Sequence, residues 1–96
     1  MTDFMRPAVG VAWYSREHWQ RLRDASEDRA DLEDTWEEWN AQAEEQLADL
    51  RCSSIRVIKV PVDVDAMVDW CRERGVPVNA ENRAAYTAEL VRMMQR

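Results

Sequence analysis

The sequence predicts an α+β domain, mostly helical, with a small two-stranded sheet and the order β-α-α-β-α-α. Three observations carry this. Two short apolar runs, Ala8–Tyr14 (AVGVAWY) and Ile55–Val62 (IRVIKVPV), are rich in β-branched residues and read as strands. Between them, Leu32, Trp36, Trp39, Ala43, Leu47 and Leu50 recur at steps of 4, 3, 4, 4 and 3, the stripe of an amphipathic helix. Helix boundaries are marked by residues suited to them: Ser15, Asp63 and Asn79 at starts, Gly75 and Pro77 at a stop.

The elements follow in chain order. Residues 1–7 read as a flexible N-terminus ending at Pro7, and 8–96 as one domain. After the first strand, Ser15 offers a capping hydroxyl to a helix from Arg16 to about Ala25, with Glu17 in its first turn and Trp19 and Leu22 on one face. Ser26 reads as the next cap, opening a long helix to about Arg51 that buries Trp36, Ala43 and Leu47. Pro61 cannot donate to a ladder, so it marks the end or the edge of the second strand. Asp63 then caps a helix with Met67, Trp70 and Cys71 inward, and Asn79 caps a last one with Tyr86, Leu90, Met93 and Met94 inward.

If the strands join one sheet through the helical crossover, they are parallel, and such a crossover is right-handed. Two strands alone make a marginal sheet in water. Helices must cover it, or a second copy must extend it. Antiparallel pairing across a dimer axis leaves fewer open edges.

Composition narrows the functional classes. The formal net charge is −6, and Asp24–Asp49 holds eleven acids and one base, Arg29, so the rest carries +4. That balance argues against binding nucleic acid, whose affinity comes mostly from phosphate attraction, and against anionic membrane. No apolar stretch approaches 18 residues and Met1–Arg6 has no apolar signal core, so the expectation is a cytoplasmic protein without a membrane span. Cys52 and Cys71 then read as reduced, inert core thiols.

The stretches Val11–Leu22 (VAWYSREHWQRL), Thr35–Trp39 (TWEEW) and Val60–Gly75 (VPVDVDAMVDWCRERG) together resemble a group of short bacterial conserved hypothetical proteins. The resemblance spans about Val9 to Leu90. It implies a bacterial, cytoplasmic protein and transfers no functional residue.

Chemical motifs are sparse. The only glycines are Gly10 and Gly75, so no GxGxxG or GxxxxGK[ST] loop can occur, and no cofactor is expected. One His and two separated Cys lack metal-ligand spacing, so no metal is expected either. One constellation remains. Ligands of open α/β sheets sit outside the carboxyl ends of parallel strands, which would gather Tyr14, Ser15 and His18 near Asp63 and Asp65. A His oriented by a carboxylate can act as a general base. Ser15 and Asp63 are also what helix starts require.

The reading favoured by the sequence is a small protein-interaction or regulatory module without catalysis, expected to be a homodimer. Five tryptophans in 96 residues, an incomplete sheet and the terminal Met93 and Met94 motivate self-association. Trp39, Met93 and Met94 are the candidate partner surface. The alternative is a small enzyme or ligand-binding protein using the strand-end cluster, and a nucleic-acid-binding antitoxin stands third, since no basic stripe is visible. A concave pocket at the strand ends favours the alternative, and a flat apolar patch favours the interaction module.

Overall fold

Alternating side chains in two short strands leave both sheet faces apolar, so helices are needed on each. The computed structural model describes residues 8–94, and the N-terminal segment 1–7 lies outside the described residues. Strand β1 (Val9–Trp13) pairs in parallel with β2 (Val57–Pro61), Val9 opposite Val57 and Trp13 opposite Pro61. The pairing extends at both ends, where Val9 N–H donates to Arg56 O at 2.9 Å and Val62 N–H to Trp13 O at 3.0 Å. The crossover consists of α1 (Arg16–Ala25), a 3-10 turn (Arg29–Asp31) and α2 (Trp36–Cys52). After β2 come α3 (Val64–Arg74) and α4 (Ala80–Met94). The expected element order, helical content and parallel sheet are all present.

The two faces have different covers. Gly10 faces α4, because a Cβ built there would overlap Val91 Cγ2 and sit 3.0 Å from Val60 Cγ2. Lys59 faces α2, bonding Glu44 at 3.1 Å. The main core lies beyond the carboxyl ends of the strands, where Leu22, Val64, Met67 and Cys71 are almost fully buried beside Tyr14 and Val62.

Local chemistry sets the helix limits. Asp63 Oδ1 accepts Ala66 N–H at 3.2 Å at the start of α3, and Gly75, at φ 67°, ends it in the left-handed region that favours glycine. Asn79 Oδ1 accepts Asn82 N–H at 3.0 Å at the start of α4. For α2 the cap is Thr35, whose Oγ1 accepts Glu38 N–H at 3.1 Å and whose hydroxyl donates to the Glu38 carboxylate at 3.0 Å.

Several boundaries differ from the sequence reading. The long helix begins at Trp36, not after Ser26, and Leu32 packs on the core from the preceding turn. Ser26 closes α1 instead of opening α2, its hydroxyl donating to Leu22 O at 2.7 Å. Ser15 holds the N-cap position of α1, but its side chain makes no cap bond. Within Trp36–Leu47 the helix is unbroken, with Ala43 and Leu47 buried and Trp36 half-buried. Met93 and Met94 are 57% and 58% exposed, not inward, and Cys52 is exposed at the end of α2 while Cys71 is buried.

Gly10 is the point of closest approach between α4 and the sheet. Gly10→Ala should destabilise the fold by about 1–3 kcal/mol, the range for overpacking. In urea melts the double variant with Val91→Ala should lose less than the sum of the two single losses; additivity would show that the approach is not tight.

Candidate functional site

The indole N–H groups fix the crossover onto β1. Trp36 Nε1 donates to Tyr14 O at 2.8 Å and Trp19 Nε1 to Glu33 O at 3.2 Å. Trp39 then meets Trp13, Tyr14 and Trp19 at ring-centroid distances of 5.2, 5.4 and 5.3 Å. Such contacts add about 0.5–1.5 kcal/mol per pair beyond area burial. Lys59 Nζ lies 4.1 Å from the Trp13 ring centroid, closing the layer on the β2 side.

A buried ion pair fixes α4. Arg83 is 8% exposed, and its Nη1 and Nη2 donate to the two Asp28 carboxylate oxygens at 2.8 and 2.9 Å. Arg83 Nη1 also donates to Ser26 Oγ at 3.1 Å. Asp28 Oδ2 accepts Ala80 N–H at 3.1 Å, and Glu27 N–H donates to Val78 O at 2.8 Å. The end of α1 is thereby tied to the start of α4. The Arg83 hydrogen bonds hold the Asp28 carboxyl below its ordinary value, against an opposing push from burial.

With α4 held there, a groove of about 620 Å³ runs along the outer edge of β1. Its floor is Ala8–Ala12 with Tyr14, one wall is α4 through Ala84, Thr87 and Ala88, and Trp39 stands opposite. Among the described residues no acid lines it, whereas Arg83 and Arg92 do. Burial pushes the Tyr14 hydroxyl up to about 12, with Arg83 opposing the rise and Asp28 adding to it, so it remains a neutral donor.

The groove floor carries free backbone. In a parallel ladder alternate residues bond to the neighbouring strand. Val9 donates to Arg56 and Trp13 accepts from Val62, so Val9, Val11 and Trp13 face β2. Gly10 and Ala12 therefore turn their N–H and C=O outward, and no described residue takes them up. By the same alternation β2 turns Val57, Lys59 and Pro61 outward on its own free edge. A proline without an N–H and a charged lysine blunt that edge. On β1 neither device is present between Val9 and Trp13.

Of the strand-end residues singled out in the sequence, only Tyr14 lines the groove. Ser15 and His18 are exposed on α1. Asp63 is spent on capping α3, and Asp65 pairs with Arg21 at 3.0 Å. The space beyond the strand ends is filled by the core. The concavity follows the β1 edge and is neither a pocket at the strand ends nor a flat patch. Trp39 is a groove wall and a half-buried core contact, while Met93 and Met94 are exposed, as are Val9 and Ile55. Among the described residues no group of His, Cys, Asp and Glu could hold a metal, and no helix is long and apolar enough to cross a membrane.

The sequence reading missed Arg83, Asp28, Ser26 and the groove. One signal was present: Arg83, Tyr86, Thr87 and Val91 stand at helical spacing on one face, and an arginine on that stripe implies a buried partner. Nothing distinguished Asp28 within its run of acids.

No protein-family model, curated protein or solved structure matches the chain.

Two solution measurements test this electrostatic frame. A carboxyl with a depressed folded value stabilises the fold above its unfolded value and loses that contribution as pH falls through the folded one. Asp28→Asn should therefore lower stability by about 3 kcal/mol at neutral pH, the low end for breaking a buried pair, because Asp28 keeps some solvent. The gap from wild type should narrow as melts are repeated below about pH 4, the ordinary carboxylate range; a gap that holds at all pH values contradicts the ion pair. For Tyr14 the sign is opposite: stability present below its ordinary value near 10 is lost as pH rises towards about 12. Both tyrosines should ionise above their ordinary value in tyrosinate absorbance, since burial also raises Tyr86.

Proposed function

We propose that this chain is a protein-interaction module, without catalysis, that binds an extended segment of a partner along the free edge of β1. The observation that carries this reading is the difference between the two sheet edges. The β2 edge is blunted by Pro61 and Lys59. The β1 edge offers backbone groups at Gly10 and Ala12 that no described residue takes up, inside a groove of about 620 Å³. Main-chain hydrogen bonds supply affinity in strand addition, and flanking pockets supply selectivity. Here the flanks are the α4 wall and Trp39.

The surrounding chemistry supports recognition over reaction. The single histidine, His18, is exposed on α1 and does not line the groove. Cys71 is buried, its thiol pushed up by desolvation, which disfavours the nucleophilic thiolate. The net charge of −6 disfavours nucleic acid and anionic lipid as partners. We place the protein in the cytoplasm, where the free thiols of Cys52 and Cys71 stay reduced.

Site-specific photocrosslinking in the native host tests the reading. A benzophenone side chain at Ala84, on the groove wall, should form protein adducts, whereas one at Glu45, on the exposed acidic side of α2, should not. Ala12→Pro removes one outward N–H without taking a hydrogen bond from the β1–β2 ladder, and it should abolish the Ala84 adducts while the chain still melts cooperatively. Absence of adducts at Ala84, or equal yields at both positions, would overturn the proposal.

A further inference from the structure

We infer that the strand received along β1 is the β1 strand of a second copy of this chain, paired antiparallel about a two-fold axis through Val11. The inference rests on the edge-binding reading above and names its occupant. A two-fold perpendicular to the sheet at Val11 brings Gly10 opposite the partner's Ala12, and Ala12 opposite the partner's Gly10. These are the residues whose N–H and C=O already point outward, so both pairs exchange two hydrogen bonds with no change in the β1–β2 register. Val11 then faces the partner's Val11 as a non-hydrogen-bonded pair, with Cα atoms about 4.5 Å apart.

The resulting sheet runs β2–β1–β1–β2. Its outer edges are both β2 strands, each blunted by Pro61 and Lys59. No other occupant closes the sheet this way, because a foreign strand brings its own outer edge. The helices permit the approach. Val91 stands over Gly10, whereas Arg83, earlier in α4, lines the groove with Tyr14, just past the end of β1, and acts on it electrostatically, so the helix runs antiparallel to the strand. One strand residue rises about 3.3 Å and one helix residue about 1.5 Å, so α4 passes the axis about two residues before Val91, one residue past Ala88. Ala84 and Ala88 on this wall are small enough for two α4 helices to lie side by side. Charge agrees as well: two copies of net charge −6 repel elsewhere, but no acid among the described residues lines the groove.

The test combines mass with a register-specific crosslink. Light scattering on the intact chain at micromolar concentration should give twice 11.3 kDa, and Ala12→Pro should give 11.3 kDa while still melting cooperatively, at a lower temperature than the dimer. In a Cys52→Ser background, Val11→Cys should oxidise to a covalent dimer, since the expected Cα separation suits a disulfide. Lys59→Cys, at the same level on β2, should not. A mass of 11.3 kDa that holds as concentration rises overturns the inference. So does a dimer that survives Ala12→Pro without a Val11→Cys crosslink, since it would be built elsewhere, as at Met93 and Met94. The two readings fail separately. A monomer whose Ala84 benzophenone still captures another protein refutes self-pairing and leaves the edge-binding module standing, while a monomer with no adduct refutes both.

Discussion

Parallel pairing of β1 with β2 is the constraint on which the rest of this fold depends. Parallel neighbours cannot be joined by a hairpin, so the chain must leave β1 at one end and return to β2 at the other. Here that return is α1, a 3-10 turn and α2, and it must be fastened because much of it has little apolar surface. Tryptophans do the fastening. Trp36 and Trp19 use their N–H groups on main-chain oxygens, while Trp39 fills the space between Trp13, Tyr14 and Trp19. Trp36 and Trp19 each have an apolar body in the protein and a polar tip with a partner, the condition under which a large aromatic can be buried at low cost. Only Trp19 is fully enclosed, and the others remain half-buried, as expected for so small a domain.

The second constraint is electrostatic. A buried arginine is expensive unless it is paired and hydrogen-bonded, and Arg83 meets both conditions through Asp28 and Ser26. Such a pair adds less net stability than its short distances suggest, because both charges leave water. Its effect is on position. Asp28 also accepts the Ala80 N–H, so one carboxylate fixes both the start of α4 and a point one turn along it. Val91 against Gly10 fixes the other end. Held at both ends, α4 lies along β1 with its alanines beside the strand edge, and the groove follows from that placement.

Features governed by local chemistry were legible in the sequence, and those governed by distant partners were not. The α3 helix is bounded by Asp63 and Gly75, whose capping geometries depend on a few neighbouring residues. Pro61 marked a β-edge because it lacks an N–H wherever it sits. The long helix was read too far upstream because Leu32 continues the apolar period while packing from a turn; Thr35 and Glu38 form the stronger start, and Asp28 is held by Arg83. A stripe records which residues are apolar, not which backbone carries them. The strand-end cluster illustrates a related limit. Ser15, His18, Asp63 and Asp65 are near the strand ends in sequence, but Trp19, Leu22 and Met67 occupy the interior there, leaving those polar residues outside. The groove required knowing which side of β1 is taken by β2, information that lies 44 residues further along the chain than Trp13 at the nearest ladder partner, Val57.

The charge distribution gives the open edge its meaning. An exposed edge with free backbone groups is a hazard for any soluble domain, since it can pair with whatever strand it meets. This chain blunts β2 with Pro61 and Lys59, so the device is within its repertoire, yet the edge of β1 carries none of it. Instead the hazard is limited by surroundings. Glu37, Glu38, Glu44 and Glu45 lie exposed on α2, and their field opposes the approach of anionic surfaces from that side. Within the groove, α4 and Trp39 flank the edge. An edge left unblunted but walled on both sides is selective where a bare edge is merely adhesive, and that combination is the physical basis for reading β1 as a recognition surface.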